Sequence, residues 1–256
     1  MRRRILRWVT LFTALAVGAL TAACSAPQRL APPSFDAPAA PAATLPVDRP
    51  PSTHAAGPVA TSVPSADVSG PRLSPDGPWH LVRSAPGVES RGLVYELLPD
   101  LWAYLPLQED VGNGVTWTLT KADVPLVEAY LQARRVFYLA TEANPFRLDD
   151  PGWRRWYGDE GQGFAAFLAP RDAAGEVFAR EQGVVLRPVV LGEQRTDTTG
   201  IVFDCMLDGG VWRRPDGSLG ADSVVGVVAN GVSTLVSMEG GRWRMGHLAA
   251  QPEACA

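Results

Sequence analysis

From Gly200 to Leu248 the chain reads GIVFDCMLDGGVWRRPDGSLGADSVVGVVANGVSTLVSMEGGRWRMGHL, and the way this stretch is cut into strands decides the fold. Ile201, Phe203, Cys205 and Leu207 alternate with Val202, Asp204 and Met206, the period of a strand. Residues 223–229 and 232–238 flank Asn230-Gly231, whose residue types suit the positive φ angles of a two-residue hairpin turn. Gly240-Gly241 then turns the chain into a strand over residues 242–248, and residues 184–191 supply a strand before all of these. The reading is a curved antiparallel meander.

Upstream the apolar period changes from 2 to 3.6. Leu126, Ala129, Tyr130, Ala133, Val136, Phe137 and Ala140 make one unbroken helical stripe, with Glu128, Gln132 and Arg135 on the opposite side. Asn144-Pro145 ends that helix. Asp149-Asp150 before Pro151 reads as a helix start, an N-cap with charge suited to the dipole, and Trp153, Trp156 and Tyr157 follow at helical spacing. Gly158 and Gly161 interrupt this helix, residues 164–168 resume it, and residues 171–182 form a third helix ended by Gly183. Before the first helix, β-like runs over residues 92–95 and 115–118 are separated by a Gly112-Asn113-Gly114 turn. Helices followed by a meander predict an α+β domain with helices packed on one face of the sheet.

Ala129-Tyr130-Leu131, Asp150-Pro151, Phe203-Asp204-Cys205, the run from Gly241 to Met245 and Cys255 together resemble actinobacterial lipoproteins that carry a nuclear transport factor 2-like domain. The resemblance covers residues 123–255 and leaves residues 79–122 as an N-terminal β-like extension. It implies a cone: a strongly bent sheet wrapped round a long first helix, with a pocket between them. Relatives of that fold class include ketosteroid isomerase-like and polyketide cyclase-like enzymes, which place an Asp or an Asp/His pair in an apolar cone where burial raises the carboxylate pKa. On this pattern Asp204 and His247 are the candidate acid/base pair, and Tyr130, Trp153, Trp156 and Trp243 are the candidate pocket wall, with plain core packing as the other reading of those aromatics. Conjugation-apparatus scaffold domains share the fold class too, which implies an accessory role in a membrane complex as a further option.

At the N-terminus, Arg2, Arg3, Arg4 and Arg7 precede an uncharged run over residues 8–23, shorter than the about 20 residues that span a bilayer. Leu20-Thr21-Ala22-Ala23-Cys24 resembles the lipobox of bacterial lipoproteins, which implies removal of residues 1–23 as a signal peptide and acylation of Cys24 with diacylglycerol and palmitate. Arg2-Arg3-Arg4-Ile5-Leu6-Arg7 resembles the twin-arginine export pattern and also serves the general secretion route. Residues 24–78 follow as a tether. From Ser25 to Pro78 there are 13 Pro, 11 Ala and 7 Ser, and Phe35 is the lone aromatic, too little apolar surface to offset the entropy of ordering. As a coil such a segment spans about 40 Å, and fully extended roughly 170 Å. The remaining 178 residues, 79–256, suffice for one core.

The chain has 3 cysteines. If Cys24 carries lipid, Cys205 and Cys255 are left to pair in an exported protein, closing a loop worth roughly 4 kcal/mol in chain entropy; the other reading is a buried free Cys205 and a frayed Cys255. Loss of residues 1–23 removes four of 23 basic and none of 27 acidic residues, giving the mature chain a net charge of −8. That balance disfavours nucleic acid and anionic headgroups as partners. No zinc-protease, redox, nucleophile-elbow, P-loop or dinucleotide motif is present, and only His80 and His247 fall in the domain, so neither a metal nor a cofactor is expected. The acidic, glycine-rich run from Gly158 to Gly163 would repel phosphate. The expected protein is lipid-anchored on the extracytoplasmic face of the cell membrane and carries a non-catalytic binding or scaffold domain, with a small isomerase or cyclase using Asp204 and His247 as the alternative. Its expected partners are the membrane through the lipid, an envelope protein or hydrophobic small molecule, and a second copy of the chain.

Overall fold

The computed structural model describes residues 71–88, 92–106, 110–112, 115–117 and 119–255. The expected signal peptide, Cys24, the tether up to residue 70 and the Asn113-Gly114 turn lie outside them. In chain order the strands are β1 (His80–Val82), β2 (Gly92–Leu98), β3 (Leu101–Pro106), β4 (Asp110–Gly112) and β5 (Val115–Trp117). Three helices follow: α1 (Val124–Thr141), α2 (Pro151–Trp156) and α3 (Asp159–Ala173). After them come β6 (Val177–Ala179), β7 (Val184–Leu186), β8 (Pro188–Val190), β9 (Thr199–Asp208), β10 (Val211–Arg213), β11 (Val228–Glu239) and β12 (Arg242–Ala250).

The expected cone of helices on a strongly curved sheet is not what this sequence forms. The molecule is mostly β, built on an open mixed sheet of eight strands in the order β1-β2-β3-β7-β9-β11-β12, with β8 also paired to β9. It is neither closed nor curled. The physical reason lies in residues 79–122, read as an extension of the domain. Leu101 to Pro106 pair with β2 across a turn at Asp100, which has φ 61°, and β3 then lies parallel to β7. The hairpin therefore extends the main sheet by β3, β2 and β1 on the side of β7 away from β9. Residues 71–78, assigned to the tether, also belong to the fold: Leu73 is buried in the main core.

A second difference has a local cause. Asn230-Gly231 does not turn the chain; both residues lie inside β11, opposite Met206 and Cys205 of β9. Ten register pairs with β9 outweigh the turn preference of two residues. The glycine is needed for another reason. A Cβ on Gly231 would stand 2.1 Å from the carbonyl oxygen of Gln251, whose N–H donates to the Gly231 carbonyl at 2.7 Å. Gly240-Gly241 does turn the chain, with φ of 57° and 75° at the two positions, as a tight hairpin between β11 and β12 requires. The helix expected over residues 171–182 does not form: α3 runs from Asp159 straight through Gly161, where an interruption was expected, to Ala173, and residues 177–179 pair with β10. Residues 223–227 form an exposed loop where a strand was expected.

The two faces of the sheet are unequal. Val202, Met206, Val236 and Met245 meet Leu126, Ala129, Tyr130 and Ala133 of α1 in the main core. The opposite face carries smaller clusters, one of them Val189, Phe203 and Cys205 with Leu191 and Cys255 against it. There a Cys205–Cys255 disulfide, Cα to Cα 5.6 Å, ties the C-terminal turn to β9. Among the described residues no helix is long and apolar enough to cross a membrane.

Candidate functional site

Asp204 is fully buried beneath α1. Pro188 has no N–H to give to the β8/β9 ladder, and the strand breaks just before it. The N–H of Arg187 donates to Oδ1 of Asp204 at 2.6 Å, and the Tyr130 hydroxyl donates to Oδ2 at 2.6 Å. Burial pushes the Asp204 carboxyl up to about 6, against the pull of these two hydrogen bonds and the Arg134 charge. Burial and the neighbouring carboxylate raise the Tyr130 hydroxyl well above the usual tyrosine value. Arg134 lies on the same buried side of α1. Its Nη2 donates to the Tyr138 hydroxyl at 2.7 Å, and its guanidinium sits 5.1 Å from the ring centres of both Phe137 and Tyr138. Burial works to lower the Arg134 pKa, and the surrounding tyrosines and Asp204 outweigh it, so the group stays charged.

His247 is not part of this network. It is exposed on β12, with its ring 6.5 Å from that of Phe164. The proposed acid/base partners are thus not hydrogen-bonded to each other, and both Asp204 oxygens are occupied by other donors. The four expected pocket residues divide in two. Tyr130 and Trp153 are sealed in the core, Trp153 stacked on Tyr157 at 4.3 Å. Trp156 and Trp243 are half-buried and line a surface feature.

That feature is a pair of adjoining clefts between α1, α2 and the start of β12. The larger, about 360 Å³, is lined by Arg135, Arg147, Arg155 and Trp156 among others. The second, about 310 Å³, is lined by Arg155, Trp156, Arg242 and Trp243, so Arg155 and Trp156 belong to both. The Asp150 side chain accepts from Gly152 N and caps α2, which fixes the wall between the clefts. The Arg155 guanidinium lies 5.1 Å from the Trp156 ring centre. Neither Asp204 nor His247 lines either cleft.

Electrostatics set this region apart. Arg171, Arg180, Arg195, Arg213, Arg214 and Arg244 each pair with a carboxylate. Arg135, Arg147, Arg155 and Arg242 have no ion pair among the described residues. The two acidic residues in the clefts are engaged elsewhere: Asp150 on Gly152 N, and Glu128 as acceptor of the Ser74 N–H. Burial alone lowers the Arg135 pKa, and its Nε donates to the Leu97 carbonyl at 3.3 Å. These four arginines are not among the site residues expected from the sequence. One signal was available: Arg135 has no acidic residue three or four positions away on its helix, whereas exposed helical arginines are commonly matched that way. Among the described residues no group of three His, Cys, Asp or Glu side chains could hold a metal ion.

No protein-family model matches the chain. No curated protein matches it either. Among solved structures it is similar to the intermembrane-space region of the chloroplast protein ARC6, at 10% identity and a TM-score of 0.34, over 48% of this chain and 92% of that one. A likeness of that size bears on neither fold nor function.

Proposed function

We propose that this chain is a lipid-anchored protein of the extracytoplasmic membrane face whose folded domain is a non-catalytic binding module. The observation that carries the binding half is the concentration of four guanidinium groups without an ion pair among the described residues, and of two indoles, around adjoining clefts. A protein does not gain stability from clustering like charges without counter-ions, so a cluster of this kind is suited to an external partner. The anchoring half rests on the Leu20–Cys24 string, the basic residues before it and the proline-rich segment after it.

Expression of the full chain and of Cys24→Ala in a bacterium with lipoprotein processing tests the anchor. The wild type is expected in the membrane fraction, with a mass lacking residues 1–23 and gaining acyl chains; Cys24→Ala is expected to leave that fraction. A wild-type protein that is soluble or retains residues 1–23 overturns the reading. Capture of envelope material by wild type and its loss in Arg147→Ala/Arg155→Ala tests the binding half.

A further inference from the structure

We propose that the two clefts together hold an acidic oligosaccharide, sugar rings bearing carboxylate or phosphate groups, with one charged ring in each cleft. This deepens the binding-module reading and rests on it.

Four features of the site select that chemistry. First, unpaired guanidinium groups stand in both clefts: Arg135 and Arg147 in one, Arg242 in the other and Arg155 at the shared wall. Guanidinium pairs with carboxylate or phosphate through two parallel N–H donors, so each cleft is furnished for an oxyanion. Second, the clefts are similar in volume, about 360 and 310 Å³, at the small end of sites for single small ligands. Two similar sites sharing one wall suit a ligand that repeats. Third, Trp156 and Trp243 present half-buried indoles, flat and stiff, of the kind that take the C–H face of a pyranose ring. Fourth, the carboxylates that would compete for the arginines are held by backbone N–H groups, Asp150 by Gly152 and Glu128 by Ser74.

The same geometry disfavours other anions. An extended acidic peptide gains much of its affinity by adding a strand to an open sheet edge. The edge beside these clefts is covered at Met245, where Gly158 N donates to the Met245 carbonyl at 2.9 Å and Tyr157 bridges to it. A bilayer of anionic lipids is flat and meets projecting basic groups, whereas these arginines rim concave clefts on a mature chain of net charge −8.

The test titrates the full chain in detergent with trigalacturonate, a phosphodiester-linked sugar oligomer, maltotriose, hexaglutamate and vesicles rich in anionic phospholipid. Tryptophan fluorescence and calorimetry are the readouts, at low and at physiological salt. One or both acidic oligosaccharides are expected to bind, more weakly as salt rises, and maltotriose to bind at least about tenfold more weakly. Arg155→Ala and Trp156→Ala are each expected to weaken binding about tenfold, because each side chain serves both clefts. Arg154→Ala, exposed on α2 and outside both clefts, serves as the control and is expected to match wild type. Matching thermal unfolding of all variants excludes misfolding as the cause of any loss. Maltotriose binding as tightly as the acidic sugars overturns the proposal, and so does failure of both acidic sugars to bind. Preferential binding of hexaglutamate or vesicles through Arg155 overturns the glycan and leaves the binding module standing. Binding indifferent to Arg155 and Trp156 overturns both.

Discussion

Arginine meets an aromatic ring at the same distance in two parts of this molecule, to opposite effect. In the core, the Arg134 guanidinium is 5.1 Å from the Phe137 and Tyr138 ring centres; at the surface, Arg155 is 5.1 Å from that of Trp156. The interior group is desolvated and has a hydroxyl at 2.7 Å and a buried carboxylate among the charges acting on it. The surface group has water and no counter-ion. A cation over a ring therefore says little by itself. What separates the two is the surroundings of the cation: Tyr138, Tyr130, Tyr157 and Asp204 hold Arg134 charged inside the fold even though its Nε has no hydrogen-bond partner among the described residues, whereas Arg155 stands at the surface beside other arginines.

The largest effect is expected in the core. Arg134→Ala removes the cation and leaves Asp204 buried beside tyrosine hydroxyls, a change expected to cost about 3–5 kcal/mol. In a domain of this size that lowers Tm by roughly 6–20 °C, read by thermal unfolding of the full chain. Asp204→Asn in the same background should recover part of the loss, because the charge left behind is what makes the single change severe. A double-mutant cycle measures this coupling directly. Strict additivity would mean that Arg134 and Asp204 do not answer each other, and that the interior arginine is as unmatched as those of the cleft.

How much of this was legible beforehand varies from element to element. α1 could be read because its stripe of apolar residues is long and unbroken, and the Asp150 cap because the N–H it accepts lies two residues away. Gly240-Gly241 was legible because a tight turn is settled by the φ preferences of its own residues. Asn230-Gly231 misled because the same residues were needed to admit the C-terminal tail, a contact with residue 251 that no local pattern encodes. The parallel pairing of β3 with β7, which adds three strands to the main sheet, joins segments about 80 residues apart and leaves no periodic trace. Within the site the aromatics were legible as a set and their division was not. Trp153 and Trp156 sit three residues apart on one short helix, and only packing against Tyr157 decides which of them is sealed. The cleft arginines were missed because a missing ion pair is a property of the folded surface.

A smaller effect is expected from the buried carboxyl itself. The Asp204 carboxyl is raised in the fold to about 6, above the unfolded value of roughly 3.9. Its contribution to stability is thus fully present below about pH 4, is lost as pH rises through 6, and is constant above that. The two-unit difference corresponds to about 3 kcal/mol as an upper figure. In Asp204→Asn most of this slope is expected to vanish, with Asp208, also raised by burial, keeping a remainder. The amide offers one acceptor to the two donors Tyr130 and Arg187 N, so it carries a fixed cost of about 1–3 kcal/mol. The Tm deficit of Asp204→Asn against wild type should therefore be larger at pH 4 than at pH 7. A deficit independent of pH would show that the carboxyl titrates as an exposed one does.

The smallest effect has the most telling sign. Arg213 forms a two-pronged pair with Glu181, at 2.7 Å and 2.9 Å, whereas Arg147 and Arg155 share their cleft with Arg135 and make no ion pair among the described residues, its one carboxylate, Asp150, accepting from Gly152 N. All three are surface groups, and each single change to alanine is expected to move Tm by less than about 2 °C. The direction should differ. Arg213→Ala removes an attraction and lowers Tm, while Arg147→Ala/Arg155→Ala relieves repulsion among clustered guanidiniums and raises it. Both shifts are electrostatic and both should shrink as salt is raised past the physiological range. Adding an acidic ligand should reverse the sign for the cleft alone, since binding to the native state stabilises wild type and has nothing to hold in the double variant. Unfolding curves at two salt concentrations, with and without trigalacturonate, read all of these terms. If the double variant is destabilised like Arg213→Ala, the cleft arginines are answered within the fold after all, and the surface would then obey the same rule as the core.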